Sequence, residues 1–196
     1  MKFINLVKFD FYNGVLKAYK KYILVFFMFF LFSIEALILA ENIPDINVSE
    51  IVFTDIVFYC FGGMKEYIAS DNNPFIFPVI WTLIQLLLFY NTLYYPFKAL
   101  NSIGQQALVR NNSRNMWWIS KSIWNFLSVL LFYLTSYLSI MFFCLINRIP
   151  ITLDVNIEFI RGSFEIIEDI SVEKNELTTL LLTIYLLPFL ISVSLN

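Results

Sequence analysis

Lys98, Arg110, Arg114 and Lys121 fall within residues 98–121, a stretch that holds no acidic residue and lies between two long apolar runs. A basic loop of this length stays in the cytoplasm, because Lys and Arg beside a hydrophobic span resist translocation. Inside it Ile103, Ala107 and Leu108 stand at helical spacing beside Gln105, Gln106, Arg110 and Arg114, and Gly104 leaves room for another backbone to approach. The pattern fits a short docking helix with one apolar and one basic side; it also fits an ordinary loop resting on lipid headgroups. Trp117 and Trp118, with Lys121 after them, form an interfacial anchor, since an indole buries its ring and still donates its N–H.

Other polar side chains interrupt the apolar runs. Glu35 lies near the outer end of the first run, where a carboxylate costs a few kcal/mol unless it snorkels, pairs or protonates. It is either a proton- or substrate-linked site or, the more favoured reading, a group that reaches the outer interface or a neighbouring helix. Asn125, Ser128, Thr135, Ser136 and Ser139 gather on one side of the third run, and Gln85 and Thr92 lie two turns apart on the second. These stripes read first as helix contacts and second as a polar path through the membrane.

Catalysis finds little support. The chain has no His, which removes the usual general base and the common catalytic dyads. Cys60 and Cys144 are too few and too widely spaced for a metal motif or a disulfide framework. No Gly-rich loop ends in Lys-Ser or Lys-Thr, so no nucleotide site belongs to the chain. No catalytic residue, metal or cofactor is expected, and nucleic-acid binding has no support.

The elements that position these residues follow from composition. Of 196 residues 59% are hydrophobic and only 14% charged, with a mean hydropathy of +0.73; soluble domains are about half apolar and a quarter charged. The expected fold is all-α: a polytopic helical membrane protein with about four transmembrane helices, at 22–40, 77–95, 123–146 and 177–195. The first alone gives roughly 28 Å of helix, the thickness of the hydrocarbon layer. Ahead of it, Ile4, Val7, Phe11, Val15 and Tyr19 fall at helical spacing, so residues 3–19 are expected to lie as an interfacial amphipathic helix. Lys2, Lys8, Lys17, Lys20 and Lys21 against the single acid Asp10 place residues 1–21 in the cytoplasm, with the loop 96–122. The acidic segments 41–76 and 147–176 then face out, and the chain is expected in the cell membrane as a multi-pass protein with its N-terminus inside.

A family resemblance rests on a sequence of features. A basic amphipathic start and a first span lead to a Thr54-Asp55 segment that closes in Gly62-Gly63. A second span with Trp81 follows, then Gly104-Gln105-Gln106, Arg110, Ser113-Arg114, Trp117-Trp118 and Ser120-Lys121. Over residues 1–146 this resembles the permease subunits of type 2 ABC exporters. The resemblance implies a second permease copy, a separate cytoplasmic ATPase subunit that carries the nucleotide chemistry, and a coupling helix matched by residues 98–116. It also implies six helices where this sequence offers four. Together with a last run that ends at Asn196 without a basic anchor, that leads to the expectation of a truncated chain. The alternative is a non-transporting scaffold or immunity protein that acts through helix–helix contacts in the bilayer.

Overall fold

The computed structural model describes residues 2–43, 46–47, 50–63, 77–100, 114–164, 179, 183–186 and 190–191. All regular structure among them is helical. Helix α1 (Lys2–Phe11) leads through a π-helical turn (Tyr12–Leu16) into α2 (Tyr19–Asn42), followed by α3 (Phe53–Phe61), α4 (Val79–Leu100), α5 (Arg114–Asn147) and α6 (Ile157–Phe164). Residues 183–186 form a further helical turn.

Two of these helices, α2 and the Asn115–Asn147 stretch of α5, are long and apolar enough to cross a membrane. Their outward faces carry the stronger argument. On α2, Phe27 (61% exposed), Leu31, Ile34 and Ile38 point outward, while Phe29, Phe32, Ala36 and Ala40 are buried on the opposite side. On α5, Leu134, Leu138, Phe142 and Leu145 repeat the arrangement against Phe132, Ile140, Phe143 and Cys144. Both helices thus carry large apolar side chains on covered and uncovered faces alike, and only 33% and 44% of their most apolar stretches are buried. The core helix of a water-soluble protein would be mostly covered, so this exposure favours lipid as the surrounding solvent and points to membrane association.

The four expected runs fare differently. The first and third are helices that extend beyond the apolar residues, α5 beginning nine positions before residue 123 because Trp117, Ser120 and Lys121 are already helical. The second is the helix α4, in which Gln85, Tyr90, Asn91, Tyr94 and Tyr95 dilute the apolar content, and it is not among the two that qualify as spans. Pro96 lies within it and removes one backbone donor near its end. The fourth run, 177–195, lies mostly outside the described residues.

The chain forms two compact units: Met1–Val25 with Gln85–Thr135 and Leu187–Asn196, and Phe26–Ile84 with Ser136–Leu186. In the first, the expected helix over 3–19 is interrupted. The Lys17 N–H reaches back five residues to the Tyr12 carbonyl (3.0 Å), which opens a wider turn. Gly14 sits buried in that turn against the Trp124 indole, so close that a Cβ would overlap the ring nitrogen. Only glycine fits there.

The second unit is built on aromatic contacts and on a stitched outer segment. Phe29 stacks on Phe61 with centroids 5.3 Å apart, Phe30 meets Phe143 edge-on, and Phe61 meets Tyr137. The end of α5 is a Schellman-type stop: Arg148 adopts φ 58° and the Ile149 N–H returns to the Cys144 carbonyl (2.9 Å). The chain then runs beside the start of α3, where the Phe53 N–H donates to the Pro150 carbonyl (3.0 Å) and the Thr54 hydroxyl to the Thr152 carbonyl (2.6 Å).

Candidate functional site

Among the described residues, the most concentrated polar chemistry lies in the first unit, around Asp10. Its carboxylate is 1% exposed, on the same side of α1 as the half-buried Val7. Three side chains donate to it: Lys121 Nζ to Oδ1 (2.6 Å), Tyr95 OH to the same oxygen (2.8 Å), and Ser120 Oγ to Oδ2 (2.7 Å). A buried carboxylate needs a counter-charge and filled lone pairs, and here it has both. The Lys121 ammonium, itself buried, also lies over the Tyr95 ring (4.7 Å to the centroid) and the Trp117 ring (5.6 Å).

A second ammonium is buried alongside. Lys21 Nζ donates to the Asn91 carbonyl (2.9 Å) and stands over the rings of Trp124 (4.9 Å) and Tyr22 (5.1 Å). Tyr95 and Trp124 pack with centroids 4.8 Å apart and join the two groups. The node therefore ties α1, the start of α2, the last turns of α4 and the first turns of α5. Tyr95 precedes residues 101–113 and Ser120 and Lys121 follow them, so α1 is fastened to residues on both sides of that basic stretch of sequence. Each of the three donors fills a lone pair of Asp10, so the arrangement ties the position of α1 to that of Tyr95 on one flank and of Ser120 and Lys121 on the other.

In the second unit Asp55 is the counterpart. Fully buried, it accepts the Val52 N–H (3.0 Å) at the start of its own helix and the Asn156 N–H (2.9 Å) just before α6. Burial pushes its carboxyl up to about 6, against the two backbone donors that hold it down.

Of the docking residues, Ile103, Gly104, Gln105, Gln106 and Arg110 lie outside the described residues; Arg114 opens α5, its side chain also outside them. The three expected anchors separate. Trp118 is 62% exposed, whereas Trp117 and Lys121 are buried, with Lys121 held by Asp10 rather than turned outward. Glu35 is exposed and Gln85 half-buried. Thr92 and Thr135 return their hydroxyls to their own helices, at Leu88 (2.9 Å) and Leu131 (2.7 Å), and Ser128 to Asn125 (2.9 Å), which is buried. Ser139 bonds across helices, to the Phe26 carbonyl at 2.6 Å.

The roles of Asp10, Tyr95, Ser120, Lys21 and Asn91 go unread in the sequence. One signal was present: the only acid among five lysines falls three residues after Val7, on the apolar side of its helix. Comparison with protein-family models, with curated proteins and with solved structures finds nothing that matches the chain.

Proposed function

We propose that the chain is a transmembrane permease subunit of an ATP-driven exporter. It works with a second permease copy and a separate cytoplasmic ATPase subunit that docks on residues 98–121. In this reading the chain crosses the membrane four times, with α4 and the run 177–195 completing the set begun by α2 and α5, and its N-terminus lies in the cytoplasm. The observation that carries the proposal is the Asp10 node. A loop pushed by a partner's nucleotide-dependent closure does mechanical work only if its flanks are fastened to something that moves, and Tyr95, Ser120 and Lys121 fasten them to α1. The resemblance over residues 1–146 and the positive charge of the loop support the same reading.

Affinity capture of the tagged chain from its native membranes tests the proposal. An ATPase subunit should be retained by the wild type and lost with Arg110→Glu plus Arg114→Glu. Its absence from the wild-type capture would favour the scaffold or immunity alternative.

A further inference from the structure

A groove of about 230 Å³ runs between α1 and the first turns of α5, walled by Val7, Phe11, Ile123, Trp124 and Leu127, with Lys8 at its edge. Its wall is almost wholly apolar. The polar groups at its floor are spoken for, because Asp10 and Ser120 bond to each other and Asp10 also takes Lys121 and Tyr95. Trp124 Nε1 has no acceptor among the described residues and is turned toward Gly14. A peptide laid in this groove would leave its backbone N–H and C=O groups unmatched. An alkyl chain carries no such groups.

Charge narrows the occupant further. The Lys8 ammonium is exposed and pairs with no carboxylate among the described residues, and Lys17 and Lys20 are exposed on the same N-terminal segment. The single acid of that segment is already neutralised. An amphiphile with an apolar tail and an anionic head matches both the wall and the edge.

We propose that this groove holds one acyl chain of an anionic phospholipid, with the lipid phosphate on the Lys8 ammonium. The site is specific: one lipid per chain, chosen by headgroup, in contrast to the exchanging lipid around α2 and α5. It would wedge between α1 and α5 beside the Asp10 node and hold α1 at the membrane surface. The proposal rests on the membrane reading and is independent of the exporter reading.

The full chain, floated with vesicles of equal phosphatidylglycerol and phosphatidylcholine and then extracted in mild detergent, should retain one phosphatidylglycerol by native mass spectrometry. Preference over phosphatidylcholine should be at least fivefold, and added inorganic phosphate alone should not displace the lipid. Lys8→Glu should abolish the preference, while Lys20→Glu should leave it within twofold. Val7→Phe, which narrows the groove, should lower retention of both lipids at unchanged helicity by circular dichroism. Equal retention of the two lipids, or an equal loss with Lys20→Glu, overturns the proposal in favour of diffuse surface attraction. Retention unchanged by both Lys8→Glu and Val7→Phe places the lipid elsewhere and overturns it as well. A chain that does not float with the vesicles overturns the membrane reading and the proposal with it.

Discussion

Removing the Asp10 carboxylate leaves the Lys121 ammonium buried without its counter-charge, and breaking a buried pair in this way costs about 3–5 kcal/mol. Asp10→Ala should therefore lower the thermal midpoint in detergent sharply, whereas Asp10→Leu combined with Lys121→Met should recover much of the loss. Additive effects of the two changes would contradict the pairing. Asp55 gives a test by pH. Its folded pKa lies at about 6, above the ordinary 3.8, so its contribution to stability is fully present below the ordinary value and is lost as pH rises through about 6. Relative to wild type, Asp55→Asn should gain stability, by up to about 3 kcal/mol, as pH rises from about 4 to about 7; an unchanged difference would contradict the burial argument. At this scale the sequence was legible only in part. Residue type and spacing located the polar stripe of α5, but they could not tell Ser139, which bonds across to Phe26, from Ser128 and Thr135, which bond within their own helix. Lys121 read as an anchor because a lysine after a tryptophan pair ordinarily lies at an interface. Its burial depends on Asp10, a partner 111 residues away in the chain, which local spacing does not reveal.

Among the elements, α2 and α5 were legible because hydropathy over many residues outweighs any single position. The break between α1 and α2 was not. It depends on the fit of Gly14 against Trp124, a contact made in three dimensions, while the Ile4, Val7, Phe11, Val15 spacing continues through it without a mark. The start of α5 was read late for a related reason: Arg114–Ser122 is helical but not apolar, and hydropathy reports the lipid boundary rather than the end of the helix. The outward face of α2 supplies the test at this scale. Leu31 is exposed in the middle of the helix, so Leu31→Arg should raise the apparent cost of membrane insertion by about 2.5–3.5 kcal/mol in a reporter assay. Lys17→Leu, outside the apolar stretch, should not raise it. Equal insertion of Leu31→Arg and wild type would argue that this face meets water.

For the whole molecule, residues on either side of the 101–113 stretch meet at one buried carboxylate, while long apolar faces are left open to their surroundings. In the permease account, that combination is the mechanical route from a partner on the 101–113 stretch to α1. The sequence alone supplied the charge pattern of the loop and the resemblance, but not the fastening, since Asp10, Tyr95 and Lys121 are far apart in the chain. The most direct measurement is ATP hydrolysis by the complex captured on the tagged chain, expressed per mole of chain. The permease account predicts hydrolysis with the wild type and at least a tenfold loss with Arg110→Glu plus Arg114→Glu. Hydrolysis absent from the wild-type capture, or undiminished by the double charge reversal, would contradict it.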